Sequence, residues 1–186
     1  MCLARRDGQI VDLGLLQGGG YSAATDVNDA GQVVGCGQMA ERGGLSLVHR
    51  GFVWAEGAVA ILPPLQPESD VLSTSSCAMS INGRGVVAGN SAVFNLQTGA
   101  FTRRAVTWRD GVLTDLGAVA GDPHSVARAI SENGKIAGSS GTYYPGWGEF
   151  AAVWAGGDAR PLAHPAGALW SAAIDINARG VVVGQY

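Results

Sequence analysis

The chain has 186 residues, of which 15% are charged and 29 are glycine, with a net charge of −3. Its length makes one domain the default and gives room for a sizeable core. The slight negative charge holds no basic patch, which argues against nucleic acid as a partner, and no apolar run reaches the roughly 18 residues of a membrane helix.

Low charge and abundant glycine suit many short strands joined by tight turns. The opening, Met1 to Asp7, lacks the apolar stretch of a signal peptide, and polar residues follow Arg5-Arg6, unlike a twin-arginine signal. Ala4-Arg5-Arg6-Asp7-Gly8 is a worn copy of a marker, Val-Trp-x-x-Gly. It returns as Val53-Trp54-Ala55-Glu56-Gly57, Thr107-Trp108-Arg109-Asp110-Gly111 and Val153-Trp154-Ala155-Gly156-Gly157. A second marker first reads Val27-Asn28-Asp29-Ala30-Gly31-Gln32-Val33-Val34-Gly35. It returns from Ile81 to Gly89, from Ile130 to Gly138 and from Ile176 to Gly184. Both markers recur about every fifty residues, the signature of an array of like supersecondary units. The chain 1–186 is read as a single repeat domain with units at about 1–49, 50–103, 104–149 and 150–186.

The third unit reads most cleanly. Ala105–Trp108 is a first strand, Arg109-Asp110-Gly111 a turn, and Val112–Leu116 a second strand. After a loop to about Ser125, Val126–Ile130 and Lys135–Ser139 form the third and fourth, joined at Ser131-Glu132-Asn133-Gly134. Asp-Gly and Asn-Gly pairs supply the positive φ that tight hairpins need, which accounts for Gly31, Gly85, Gly134 and Gly180 without a ligand. Asn28, Asn82 and Asn177 fit the start of a type I turn, where the side chain bonds the backbone two residues on. Trp54, Trp108 and Trp154 fill the space between neighbouring sheets. No strong helix is present. The expected fold is all-β, a β-propeller-like array of four blades of four antiparallel strands. Part of a larger propeller ring, or a β-solenoid, are the alternatives.

The two markers together resemble the HAF-repeat family, named for a His-Ala-Phe triplet ahead of an apolar residue and Trp. Asp12-Leu13-Gly14, Gln17-Gly18-Gly19-Gly20-Tyr21-Ser22, Asn28 to Gly35 and Asp115-Leu116-Gly117 carry the resemblance, which covers essentially the whole chain. In place of the triplet stand Arg50-Gly51-Phe52, Arg104-Ala105-Val106 and Phe150-Ala151-Ala152. The resemblance implies an extracellular β-repeat protein and brings no catalytic residue set.

In a four-strand meander, tight turns gather at one end and longer connections at the other. The longer segments are 17–23, 37–50, 63–80, 90–103, 121–125, 140–149 and 163–171. Loops on a rigid scaffold are where binding residues sit. This face carries Tyr21, Asp122, His124, Tyr143, Tyr144, Trp147 and Trp170, candidates for binding a carbohydrate or a protein or peptide. The main reading is a non-catalytic binding module of a secreted repeat protein. One alternative is a hydrolase with its site in the central loop face; another is a fragment of a larger repeat protein with no function of its own. No catalytic residue, cofactor or metal is assigned. Asp26 to Gly31 resembles the start of a Ca²⁺ loop but lacks the downstream acid, so a hairpin turn accounts for it better. Asp122-Pro123-His124 offers two metal ligands without an identifiable third. Ser139-Ser140-Gly141 and 73–76 lack a nucleophile elbow, and Gly18-Gly19-Gly20 lacks the Lys of a phosphate loop. Cys2, Cys36 and Cys77 read best as packed thiols without a functional disulfide; one pair plus a free thiol is the alternative. A monomer, or a homodimer by ring completion, is the expected state.

Overall fold

The computed structural model describes residues 2–6, 8–44, 46–66, 74–144 and 147–186. Apolar and β-branched runs bounded by Gly, Asp and Asn become strands throughout. Three four-stranded antiparallel meanders form the body. The first is β3 (Ser22–Val27), β4 (Val33–Glu41), β5 (Ser46–Ala55) and β6 (Ala58–Ile61). The second is β7 (Ser76–Ile81), β8 (Val87–Asn95), β9 (Ala100–Arg109) and β10 (Val112–Gly117). The third is β11 (His124–Ile130), β12 (Ile136–Tyr144), β13 (Trp147–Ala155) and β14 (Asp158–Pro161). Two-stranded sheets flank them, β1 (Cys2–Arg6) with β2 (Gln9–Gly14) and β15 (Ala172–Ile176) with β16 (Val182–Gln185). The only helical element among the described residues is a 3₁₀ turn at Arg42–Gly44. The fold is all-β with four-stranded antiparallel sheets, as the turn spacing implies.

The sheets are phased differently from the sequence units. The unit edges drawn after residues 49, 103 and 149 fall inside β5, β9 and β13. Pairing runs through them without a break, with Gln38 opposite His49 and Gly37 opposite Arg50. Each sheet therefore joins the second half of one unit to the first half of the next. A period read from markers fixes spacing and leaves the phase open.

The registers correspond from sheet to sheet. Val33 lies opposite Trp54, Val87 opposite Trp108 and Ile136 opposite Trp154. The strand ahead of each tight Asn or Ser turn carries an irregularity at one place: between Ala24 and Asp26, Ala78 and Ser80, Ala127 and Ala129, and Ala173 and Asp175. A bulge of this kind adds one residue and strengthens the local twist.

The sheets pack face to face. Val34 and Leu62 of the first meander meet Ala78, Ile81, Val87, Val106 and Trp108 of the second. Ala88 and Ala105 of the second meet Ala127, Ile130, Ile136, Ala152 and Trp154 of the third. At the two ends, Cys2 and Leu13 lie on Val33 and Phe52, and Ala173 and Ile176 lie on Ala129, Ala137 and Ala151. Trp108 and Trp154 are fully buried, whereas Trp54 is only half-buried. The strands β3, β7, β11 and β15 touch one another in succession.

Polar side chains reinforce each junction. The Ser76 hydroxyl accepts the Gly51 N–H at 3.2 Å, Ser125 accepts that of Ala105 at 2.9 Å, and Ser171 accepts that of Ala151 at 2.9 Å. A buried serine at the start of one sheet thus satisfies an amide of the sheet before it. Asparagines satisfy amides of their own tight turns. Asn82 Oδ1 accepts the N–H groups of Arg84 and Val86, and Asn177 those of Arg179 and Val181. Their amide groups reach onward: Asn28 Nδ2 donates to the Asn82 carbonyl and Asn82 Nδ2 to that of Ser131. Cys36 and Cys77 form a disulfide between the first and second meanders, and Cys2 is a buried free thiol. This corrects the expectation of unpaired cysteines; residues 41 apart in sequence meet because β4 and β7 lie on facing sheets.

The tryptophans differ in one respect that mutation can read. Trp108 Nε1 donates to the Pro63 carbonyl at 2.8 Å, whereas Trp154 Nε1 is buried without a partner among the described residues. A buried unmade bond costs about 1–3 kcal/mol. Trp108→Phe is therefore expected to cost about 1–2 kcal/mol more than Trp154→Phe. Urea unfolding of the two variants, compared through their midpoints, checks this.

Candidate functional site

The tight turns around residues 28–32, 56–57, 82–86, 110–111, 131–135, 156–157 and 177–181 share one end of the strands. The other end holds the loops 15–21, 118–123 and 162–171 and the far ends of three long hairpins, β4–β5, β8–β9 and β12–β13. Segments 37–50, 90–103 and 140–149, taken as loops in the sequence, are largely these hairpins. Pairing continues to Glu41 opposite Ser46, Asn95 opposite Ala100 and Tyr144 opposite Trp147. Their polar and glycine content hid the strand character. At the base of the first hairpin a buried Arg50 forms an ion pair with Glu41 and donates to the Thr74 carbonyl.

Asp122 and His124 come together at the junction of the second and third meanders. The Asp122 carboxylate accepts the Ser140 hydroxyl at 2.8 Å, and the same hydroxyl reaches the His124 carbonyl at 3.2 Å. Ser139 donates to Glu149 at 3.0 Å. The buried His124 ring accepts the Arg103 N–H at Nδ1, 3.1 Å away. That bond requires an unprotonated Nδ1, so the neutral ring carries its proton on Nε2. A pocket of about 250 Å³ opens beside it, lined by Ser75, Ala92, Phe101, Thr102, Arg103 and His124. Among the described residues no group of three His, Cys, Asp or Glu gathers as a metal site.

Burial holds the His124 pKa below its usual 6.5, the charge of Glu149 raises it, and Arg103 lowers it. The unfolded chain then binds the proton more readily than the folded one between the folded value and about 6.5. His124 contributes stability above pH ~6.5, and that contribution is lost as pH falls through the folded value. Melting temperature is expected to fall on acidification below pH ~6.5, with a shallower fall in His124→Gln.

The other candidates lie elsewhere along the same end. Tyr21 is exposed on the β2–β3 loop, and Trp170 is half-buried on the β14–β15 loop. The side chains of Tyr143, Tyr144 and Trp147 lie outside the described residues. Tyr21, Ser75, His124 and Trp170 occupy one corresponding place, each immediately before the buried serine Ser22, Ser76, Ser125 or Ser171. Sequence reasoning weighs Ser75 only within 73–76 as a nucleophile and misses that it and the other three are equivalent. Tyr-Ser-Ala, Ser-Ser-Cys, His-Ser-Val and Trp-Ser-Ala were the available signal, obscured by the identities around each serine.

The turn at Asp26 to Gly31 is closed by its own chain and its neighbour. Asp26 accepts the Ser80 hydroxyl and the Ile81 N–H, and Asn28 Oδ1 accepts the Gln32 N–H. No family model, no curated protein and no solved structure matches the chain.

Proposed function

We propose that the chain is a propeller-like repeat array that acts as a non-catalytic binding module, taking an extended peptide segment of a partner protein along its loop end. One observation carries this reading. Tyr21, Ser75, His124 and Trp170 stand at a single corresponding position, and the strands that follow them touch in succession. Four different side chains therefore make a row on a constant backbone. Variation of side chain at a fixed place is how a repeat scaffold varies what it binds. Tyr and Trp supply large amphipathic contact area with little entropy to lose, and Ser and His supply hydrogen bonds. Leu96 and Phe101 stand exposed on the neighbouring β8–β9 hairpin and widen the apolar area. The polar groups that would suit a hydrolase are engaged with one another: Ser140 on Asp122, and Ser139 on Glu149 within one sheet. The Cys36–Cys77 disulfide suits an oxidising compartment, in keeping with the extracellular address that the family resemblance implies.

Selection of displayed peptides against the chain, in parallel with a glycan panel, tests the proposal. Selected peptides are expected to lose about tenfold or more in affinity on Tyr21→Ala and on Trp170→Ala, the size of aromatic anchors. Capture of glycans alone would replace the peptide with a carbohydrate. Turnover of ester or glycoside substrates, abolished by His124→Gln, would overturn the non-catalytic reading.

A further inference from the structure

Each flanking two-stranded sheet corresponds to one half of a four-stranded meander. By position in the markers, β15–β16 corresponds to β3–β4, β7–β8 and β11–β12. Likewise β1–β2 corresponds to β5–β6, β9–β10 and β13–β14. In each meander the halves join through the long hairpin pair. Among the described residues, β16 pairs only with β15 and β1 only with β2.

Both halves show an unmet contact. Val34, Ala88 and Ala137 correspond to one another and are each 0% exposed, covered by the next sheet. Val183 holds the same position and is 60% exposed. At the opposite end, Trp108 and Trp154 are closed over by Val34 and Ala88 of the preceding sheet and are 1% exposed. Among the described residues no counterpart of Val34 or Ala88 closes over Trp54. Instead a pocket of about 270 Å³ lies there, lined by Ala4, Val11, Val33, Trp54 and the turn from Val27 to Gly31. The projecting Val183 and the pocket at Trp54 are complementary in kind.

We propose that the β16 edge of one copy of this chain adds to the β1 edge of a second copy, completing the sheet β15–β16–β1–β2 across two molecules. The internal pairs set the register: Val182 opposite Arg5, Val183 opposite Ala4 and Gly184 opposite Leu3. Val183 then enters the pocket at Trp54 of the second copy, as Val34 meets Trp108 within one chain. Strand addition satisfies the open backbone groups of both edges. The occupant is a second copy because the two edges complement each other and, among the described residues, do not pair within one chain: Val183 is exposed where Val34 is covered, and the pocket at Trp54 stands where Trp108 is closed over. The junction is head-to-tail, so it closes as a ring or continues as a longer row.

Light scattering and mixed cross-linking test this. The chain is expected at twice its own mass or more. Val183→Asp is expected at the single mass with an unchanged circular dichroism spectrum, since Val183 is exposed within one chain. In a Cys2→Ala background, Val183→Cys chains mixed with Ala4→Cys chains are expected to oxidise to a covalent dimer that neither gives alone. A single mass at every concentration with no cross-link in the mixture overturns the proposal. So does a chain carrying both Val183→Cys and Ala4→Cys that closes on itself as a covalent monomer.

Discussion

Gly138→Ala is expected to leave the chain largely unfolded, whereas Gly134→Ala, four residues earlier, costs only about 1–2 kcal/mol. The two glycines are needed for different reasons. Gly134 sits in the β11–β12 turn at φ 83°, with open space where a Cβ would go. An alanine there meets the left-handed backbone penalty and nothing else. Gly138 lies inside β12, and its φ is not positive. A Cβ on it would stand 1.9 Å from the Val126 carbonyl oxygen and 2.9 Å from its carbon. The register shift between Ala127 and Ala129 accompanies this approach. Overpacking in a core costs about 1–3 kcal/mol when side chains can give way. Here the neighbour is backbone, fixed by its own ladder, so the cost exceeds that range. A Cβ on Gly35, Gly89 or Gly184 would stand 2.0, 2.1 or 2.2 Å from a carbonyl oxygen in the same way. Thermal melts of the two alanine variants decide it; similar melting temperatures would contradict the close-approach account.

Removing the Cys36–Cys77 disulfide, by Cys36→Ala with Cys77→Ala, is expected to cost roughly 4 kcal/mol by loop-closure entropy. The bridge spans 41 residues and joins two sheets. Cys2→Ala is expected to have a smaller effect, because Cys2 is an unbridged thiol that acts by packing on Leu13, Val33 and Phe52. Chemical denaturation with and without reductant checks both. Reductant should lower the midpoint of the native chain and leave the double variant unchanged.

Much of this architecture is legible in the residues. Asp-Gly and Asn-Gly pairs mark the tight turns, and Asn82 and Asn177 make the turn bonds their positions imply. Trp108 and Trp154 pack between sheets, as their fixed place suggests. Other features depend on pairing that no single segment displays. The hairpin ends near Glu41 and Asn95 are strand because a partner strand lies beside them, while their own sequence is polar or rich in glycine. The final glycine of each marker resembles a turn residue, but its role appears only when the neighbouring carbonyl is in place. Cys36 and Cys77 give no spacing signal, since only facing sheets bring them together. For the site, Tyr21, His124 and Trp170 can be singled out by residue type. Their equivalence is set by the buried serine that follows each, a signal present in the residues that burial makes evident.

Hydrogen exchange of the chain, alone and with a display-selected peptide, tests the binding account most directly. Slowed exchange is expected at the loop end, in 15–21, 74–76, 95–103, 118–124 and 162–171, with the tight turns unchanged. Protection confined to the turns at 28–32, 82–86, 131–135 and 177–181 would contradict it, and would move the binding surface to the opposite end of the sheets.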